Sequence, residues 1–200
     1  MSADFDERAA TWDDDPAKVE RARVVADAIR DAVALEPTTR LLEYGAGTGL
    51  VSQFLREAVG PVTLADTSAG MRQQMEQKVA AGVIADARVV DLDLSTGQAP
   101  DERYDLIVTV MVMHHITPLE PVLESFAAML EPGGHLCVVD LEKEDGSFHG
   151  EGFHGHEGFA VDELTADLQA AGFGAVEVTR VHEIDRGGRT YGVFMAVATA

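Results

Sequence analysis

The chain has 200 residues and a formal net charge of −20, and 46% of its residues are hydrophobic. This length favours one domain with a sizeable core, and the acidity disfavours nucleic acid as the main partner because its phosphates would be repelled. No apolar stretch approaches the ~20 residues that span a bilayer. The polar N-terminus does not resemble a signal peptide, and the single cysteine, Cys137, cannot form an internal disulfide, so we expect a cytoplasmic protein.

The N-terminal region divides into an acidic arm and a helix. Residues 1–16 are acidic, and Phe5 and Trp12 are among the few apolar side chains that could pack there. Pro16 is typical of a first helical position. Apolar residues that recur at helical spacing then predict a helix over 17–35.

The segment 40–51 predicts a strand, a tight turn and a helix start. A short apolar run ends at Glu43, and Gly45, Gly47 and Gly49 then alternate with other residues. Glycine accepts positive φ and lets a ligand approach the backbone. In open α/β sheets such a loop after the first strand binds nucleotides, although a dinucleotide fold requires G-x-G-x-x-G. A plain strand-to-helix turn could carry the same glycines.

The next predicted strand, over 62–66, ends in an acidic residue. Asp66 follows the glycine loop at close to the ~20-residue offset at which an acid binds a ribose in dinucleotide folds, and a carboxylate can accept hydrogen bonds from both ribose hydroxyls. Alternatively Asp66, Thr67 or Ser68 could cap the helix predicted over 69–81.

The third predicted strand, over 87–94, also ends in acids. Asp91 and Asp93 share one face of such a strand because side chains alternate between faces. Their spacing therefore does not separate their roles.

The fourth predicted strand, over 104–111, is an almost continuous apolar run, which is typical of a parallel strand buried on both faces. Val110 and Met111 lie at its end. His114 and His115 follow directly, where the chain should leave the sheet.

The C-terminal half holds a long segment, 142–160, that is rich in glycine and histidine and has interleaved phenylalanines. A long loop in a compact domain is usually functional or disordered, and the aromatic residues favour an ordered flap. The other predicted elements are helices over 118–130 and 161–171, a strand over 136–141, and a hairpin of strands over 175–183 and 190–199.

Five features, in order and at family spacing, resemble the class I S-adenosylmethionine-dependent methyltransferases. They are the E-x-G-x-G-x-G motif at 43–49, Asp66, the acid after the third strand, the Tyr104-Asp105 pair that opens the fourth strand, and the Pro-Gly-Gly turn at 132–134. The resemblance covers nearly the whole chain. It implies a Rossmann-like three-layer α/β sandwich, with a mostly parallel seven-stranded sheet that ends in an antiparallel C-terminal hairpin.

The resemblance also implies residue roles. Residues 1–16 would form a lid over the cofactor, S-adenosyl-L-methionine. The glycine loop and Glu43 would hold its methionine portion, Asp66 its ribose, and Asp91 with Leu92 its adenine. The residues expected to contact the cofactor are Glu43, Gly45, Gly47, Gly49, Asp66, Thr67, Asp91, Leu92, Val110 and Met111.

His114 and His115 are the candidate catalytic residues. Methyl transfer chiefly requires alignment of the nucleophile with the methyl group. A general base helps when the acceptor is a phenol, a carboxylic acid or a protonated amine, and histidine titrates near neutral pH. Backbone hydrogen bonds at the strand end could also account for either side chain.

His149, His154 and His156 suggest a metal, since imidazole is a ligand that zinc and nickel prefer. Methyl transfer needs no metal, however, and a glycine-rich loop is not preorganised for one. We therefore expect a substrate flap and assign no metal ligands, with a metal site as the alternative.

The sequence thus predicts a single-domain enzyme over residues 1–200 that methylates an O-, N- or C-nucleophile of a small molecule. One alternative is a cofactor- or metal-binding regulatory protein without transferase activity. Another, an NAD-dependent oxidoreductase, is disfavoured by the glycine spacing and the Pro-Gly-Gly turn. We expect neither nucleic acid nor membrane as a partner, and the acceptor and oligomeric state are open.

Overall fold

The computed structural model describes residues 2–200, with side chains from Asp4 onward, and contains a seven-stranded sheet in the order β3-β2-β1-β4-β5-β7-β6. β1, β2 and β3 pair in parallel, whereas β7 pairs antiparallel with both β5 and β6. This confirms the predicted α/β class and the antiparallel hairpin. The strands are β1 Leu41–Tyr44, β2 Val62–Ala65, β3 Ala87–Val90, β4 Tyr104–Val110, β5 Leu130–Leu141, β6 Val176–Arg186 and β7 Arg189–Thr199.

The helices follow the predicted order, and two short ones precede them in the N-terminal arm. Proline at the start of α2 and the Asp15 side chain, which accepts from the Ala17 amide, define where that helix begins. The helices are α1 Ser2–Arg8, α2 Pro16–Ala32, α3 Leu50–Leu55, α4 Ala69–Ala80, α5 Glu120–Met129 and α6 Val161–Ala170, with 3-10 helices at Ala9–Asp14 and Met113–His115.

The first of two compact units comprises the residues up to Asp93 together with Tyr104–Val108. Every residue of β1 and β2 is buried, as expected of short parallel strands covered on both faces. Ile29 of α2 and Met75 of α4 are fully buried in this unit. The glycine loop therefore stands on a rigid apolar base.

The second unit comprises Leu94–Arg103 and Thr109–Ala200. β5 and β7 pair from His135 opposite Thr199 to Leu141 opposite Val193. Phe126 and Phe194 are fully buried in its core. The prediction of a single domain over the whole chain stays a prediction.

Several boundaries differ from the predicted ones for physical reasons. β3 ends at Val90, so the acids that follow lie in a loop and not on a strand. β5 begins at Leu130 and not at residue 136, because the Pro-Gly-Gly turn pairs with the chain end: the Gly133 amide donates to the Ala200 carbonyl, and the Ala200 amide donates to the Gly134 carbonyl. Within residues 2–200, no helix is long and apolar enough to cross a membrane.

The core of the first unit gives a stability prediction. Leu106 of β4 has no exposed surface, so Leu106→Ala should lower the free energy of unfolding by about 2–5 kcal/mol through lost burial and a residual cavity. Val161→Ala is the matched control, since Val161 is 47% exposed and a surface change should stay within about 0.5 kcal/mol. Urea denaturation of both variants checks this, and equal losses would contradict the assigned core.

Candidate functional site

The glycine loop adopts a backbone that requires its glycines. Gly45, Gly47 and Gly49 have φ of 68°, 58° and 75°, in the left-handed region that other residues rarely adopt. A Cβ at Gly49 would also lie 2.9 Å from the Cδ1 atom of Ile84. The loop is closed by the Ala46 amide, which donates to the Ala65 carbonyl at 2.9 Å. These contacts hold the loop against the end of β2.

Glu43 is a buried carboxylate at the end of β1, with 3% of its surface exposed. It accepts a hydrogen bond from the Ser52 amide in α3 at 2.9 Å. Burial raises the pKa of Glu43 to about 7, although the hydrogen bonds from Ser52 and the charge of Lys78 oppose the rise. A cation beside this carboxyl would favour its ionised form, so Glu43 is suited to hold an ammonium group.

Asp66 connects the glycine loop to the loop after β2. Its carboxylate accepts from the Gly47 amide and from the Ser68 amide, each at 2.8 Å. Burial raises the pKa of Asp66, and these two amide hydrogen bonds oppose the rise. The helix cap of α4 is Ser68, whose hydroxyl accepts from the Met71 amide, and Thr67 is exposed beside it. The alternative that Asp66 or Thr67 caps this helix is therefore wrong.

The N-terminal arm contacts the turn after β2. The Asp6 carboxylate accepts from the Ser68 hydroxyl at 2.5 Å and from the Gly70 amide at 2.8 Å. The hydrogen bond from the Ser68 hydroxyl, and then the one from Gly70, lower the pKa of Asp6. The arm is thus held by side-chain contacts that the sequence pattern did not indicate.

The arm also covers the glycine loop. Asp13 accepts from the Thr48 hydroxyl at 2.5 Å and forms an ion pair with the Lys78 ammonium at 2.6 Å. The Trp12 indole nitrogen lies 3.9 Å from the position of a Cβ at Gly47, and the Lys18 ammonium stands 4.1 Å from the centre of the Trp12 ring. A lid function for residues 1–16 stays a prediction.

The acids after β3 are both exposed. Asp91 forms an ion pair with Arg72 at 3.0 Å, and the Arg72 guanidinium also donates to the Asp66 carbonyl at 2.9 Å. One arginine therefore links Asp91 to the Asp66 loop, and the choice between Asp91 and Asp93 for the predicted adenine contact stays open. Leu92, half-buried, lies between them.

The last two predicted cofactor residues belong to the second unit. Val110 ends β4, and Met111 follows with a φ of 58°, an uncommon conformation for a residue with a side chain. The Met111 amide donates to the Val139 carbonyl at 2.8 Å. This sharp turn directs the chain into the 3-10 helix that carries the candidate catalytic histidines.

His114 is buried, with 1% of its surface exposed, and is held by Asp140, which has none. The His114 Nδ1 atom lies 2.5 Å from the Asp140 carboxylate, which also accepts from the His114 amide at 3.2 Å and from the Leu141 amide at 2.7 Å. A carboxylate oxygen accepts, so Nδ1 carries the proton of this hydrogen bond, and Nε2 lies on the other side of the ring.

His115 and His149 complete a cluster of imidazoles around His114. The ring centres are 4.1 Å apart for His114 and His115, 5.0 Å for His114 and His149, and 5.2 Å for His115 and His149. Burial, and then the charge of His114, lower the pKa of His115 and of His149 to about 4. Both rings are therefore neutral at pH 7.

The structure separates the three histidines of the 142–160 segment. His149 joins His114 and His115, whereas His154 is exposed. The His156 amide donates to the His114 carbonyl at 2.7 Å, and its Nε2 atom lies 2.9 Å from the Ile116 carbonyl, so His156 fixes the segment in place. The grouping of His149, His154 and His156 as one candidate ligand set is wrong.

Sequence reasoning missed Asp140 and the arm carboxylates. Asp140 is the one charged residue among the last six residues of β5, 136–141. All six are fully or nearly fully buried, and the other five are apolar. A buried charge needs a partner, and that signal could have identified Asp140 as functional.

A comparison with models of protein families identifies the family of this chain. Residues 17–178 match the family described as a methyltransferase domain. The chain belongs to this methyltransferase family. The resemblance to class I S-adenosylmethionine-dependent methyltransferases, with its cofactor class, is thereby confirmed at the level of the family.

Curated relatives of this methyltransferase share a limited region with it. The biotin biosynthesis bifunctional protein BioCD of Bordetella avium is 33% identical over 115 residues, 56% of this chain and 24% of BioCD. The ubiquinone/menaquinone biosynthesis C-methyltransferase UbiE of Stutzerimonas stutzeri is 31% identical over 108 residues, 52% of this chain and 42% of UbiE. The match to a highly reducing polyketide synthase of Calcarisporium arbuscula covers only 5% of that protein. The methyltransferase spans less than half the length of these three relatives.

Solved structures agree on the methyltransferase fold. The DhpI–SAH complex is 22% identical, with a TM-score of 0.74 over 98% of this chain and 93% of that one. A chain from a complex between the Haloferax volcanii Trm112 methyltransferase activator and a methyltransferase is 17% identical, with a TM-score of 0.78 over 98% and 97%. At these identities the likeness shows the fold alone.

The raised pKa of Glu43 gives a stability prediction with a definite sign. The unfolded carboxyl ionises near 4.5 and the folded one near 7, so between these values the folded methyltransferase binds more protons, and its free energy of unfolding falls as the pH rises. The fall due to this group is on the order of 3 kcal/mol. Glu43→Gln should remove it, so urea denaturation should favour the variant over the wild type more strongly at pH 8 than at pH 5.

The control is Glu57→Gln, because the Glu57 side chain is 85% exposed. That variant should follow the wild-type pH profile. A Glu43→Gln profile parallel to the wild type would show that Glu43 titrates normally.

Proposed function

We propose that the protein transfers the methyl group of S-adenosyl-L-methionine to an O-, N- or C-nucleophile of a small molecule. The observation that carries the proposal is the pair of carboxylates, Glu43 and Asp66, arranged on either side of a loop with three left-handed glycines. Membership of the methyltransferase family supports the same activity.

The residues of the first unit fit this cofactor. Glu43 offers a buried carboxylate for an ammonium group. Each Asp66 oxygen accepts one backbone amide and retains the capacity to accept a ribose hydroxyl. A side chain at Gly47 would fill the space beneath Trp12, so the glycine preserves a cradle there.

The bound cofactor supplies an electrophilic methyl group on a sulfonium. The chain's own residues bind and orient it: Glu43 and the glycine loop hold one end, while Asp66 holds the ribose. Trp12 and Asp13 of the arm lie against the loop, where they would limit the access of water to a bound cofactor. Alignment of this kind can lower a displacement barrier by about 7–11 kcal/mol.

We propose that His114 and His115 serve the acceptor and not the cofactor. Asp140 fixes the His114 tautomer and leaves the Nε2 lone pair available, and His115 is neutral at pH 7 because burial lowers its pKa to about 4. A neutral, oriented imidazole can take a proton from an acceptor or bind an electrophilic ion.

A small-molecule acceptor is supported by charge. A net charge of −20 repels polyphosphate chains, which disfavours nucleic acid substrates. Among the relatives, UbiE is named as a C-methyltransferase of ubiquinone and menaquinone biosynthesis and BioCD as a protein of biotin biosynthesis. These names place small molecules among the acceptors to be tried first.

Calorimetric titration with S-adenosylhomocysteine tests the proposal. The wild type should bind it and should not bind NAD. Asp66→Ala should weaken binding by about 10- to 150-fold, as expected when hydrogen bonds to a charged group are lost. Glu57→Gln, a change at a side chain that is 85% exposed, should bind like the wild type. Binding of NAD without S-adenosylhomocysteine would overturn the proposal.

The affinity should also depend on pH through Glu43. Because its pKa is about 7 and an ammonium group favours the ionised carboxylate, affinity for S-adenosylhomocysteine should rise roughly tenfold from pH 6 to pH 8. Glu43→Gln should bind more weakly and lose this dependence. An unchanged slope in the variant would remove Glu43 from the cofactor site.

A further inference from the structure

We propose that His114, His115 and His149 form a binding site for a divalent transition metal ion of the zinc class. This inference goes beyond methyl transfer and does not depend on it, since it concerns only side chains of the second unit and is tested by metal uptake. One ring nitrogen from each of the three residues lies within 4.8 Å of the others.

The distances between the ring nitrogens are close to those of a tetrahedral metal site. Zinc–nitrogen bonds of about 2.0–2.1 Å place ligand nitrogens roughly 3.3 Å apart, so the imidazoles need to approach one another by up to about 1.5 Å. His149 lies in a turn and not in a helix or strand, so a shift of its backbone can supply this movement while the ring keeps its aromatic contacts. His114 and His115 are adjacent on one 3-10 turn and provide the fixed side.

Asp140 provides the outer support that metal-bound histidines usually have. A ligating histidine almost always donates its other ring nitrogen to a carboxylate, a carbonyl or water, which fixes the ring and raises its basicity. The His114 Nδ1 atom makes this contact with Asp140 at 2.5 Å. The nitrogen left for an ion is Nε2.

His149 supplies an independent observation. Its Nε2 atom is buried and has no hydrogen-bond partner among residues 2–200. Buried polar atoms nearly always have a partner in a folded protein, so this Nε2 atom, beside two further imidazoles, is available to bind an ion. A metal ion accepts lone pairs from all three rings, which a hydrogen-bond donor cannot do.

Aromatic rings flank the His149 side of the cluster. The Phe153 ring stacks on His149 at 3.9 Å, and Phe148 meets it edge-on at 4.9 Å. These rings limit the rotamers of His149 and exclude water from its face. A set of three imidazole nitrogens without a direct carboxylate ligand suits zinc, nickel, copper or cobalt and not magnesium or calcium.

The glycines of the 142–160 segment make this arrangement accessible. A Cβ at Gly155 would collide with the His114 carbonyl oxygen, so only glycine lets the segment approach the 3-10 helix closely. The His156 amide then donates to that same carbonyl at 2.7 Å. The glycine-rich segment is thus docked, which removes the objection that it is not preorganised for a metal.

Three protein ligands leave a fourth position for water or an exogenous ligand, as in catalytic and not structural zinc sites. Metal binding and proton abstraction both need the Nε2 lone pair of His114. With an ion bound, the ion and not the His114 ring would therefore contact an acceptor. An acceptor with a lone pair on oxygen, nitrogen or sulfur could occupy the fourth position.

Metal uptake by the tag-free, chelator-treated full chain tests the site. We expect one Co²⁺ per chain with the visible absorption of a four-coordinate ion, displaced by Zn²⁺, and one zinc per chain by elemental analysis after dialysis. His149→Ala should weaken zinc affinity at least 100-fold in a chelator competition. His154→Ala is the matched control, since His154 lies on the same segment but is exposed, and should bind like the wild type.

Asp140→Asn tests the support separately and should weaken zinc affinity by about 10- to 100-fold. Circular dichroism shows which variants fold. If His149→Ala does not fold, His115→Asn is used in its place to remove one ligand. Uptake well below one ion per chain by the folded wild type, or equal losses in the His149 and His154 variants, would show that the histidines only pack together. Binding of S-adenosylhomocysteine is measured on the same samples, so failure of the metal site and failure of the cofactor site are seen independently.

Discussion

The Asp66 carboxylate holds two loops in one arrangement. It accepts from the Gly47 amide in the first loop and from the Ser68 amide at the start of α4. Each bond compensates in part for the burial of the charge, which still raises the pKa of Asp66. A ligand hydroxyl that donates to this carboxylate would add to the same compensation. The residue that organises the loops is therefore also one whose buried charge a donating ligand would stabilise.

The first unit concentrates negative charge around the glycine loop. Burial is the main cause of the raised pKa of Glu43 and of Asp66, and the neighbouring charges of Asp66 and Asp6, respectively, add to it, so these carboxyls repel one another. Lys78 and Arg72 offset part of this repulsion. A ligand with an ammonium and a sulfonium would relieve the rest of this repulsion. The local cluster of carboxyls therefore favours a cationic ligand, a conclusion that the net charge of the chain alone does not allow.

What the sequence could predict was set by local chemistry. The strand, turn and helix around Gly45, Gly47 and Gly49 follow from backbone conformation and short apolar runs, so these elements appear where they were expected. The helical arm could not be predicted, because its order comes from Asp6 and Asp13, which contact residues 62 and 35 positions away. Such contacts leave no periodic signal in the chain.

The histidine cluster shows the same limit in the second unit. The adjacent pair His114 and His115 was identified as functional from its position after a strand, but the partners that define their chemistry lie 26 positions away at Asp140 and beyond that at His149. Counting histidines within the 142–160 segment favoured neighbours in sequence, whereas docking of Gly155 and His156 against the 3-10 helix selects His149 alone.

The composition of this segment is typical of a flexible loop, but the segment is packed. Its glycines allow close approach to the 3-10 helix, and its aromatic residues cover one imidazole. The carboxylates of the first unit suit cations, whereas the clustered imidazoles of the second unit are a type of group that can bind a proton or a metal ion.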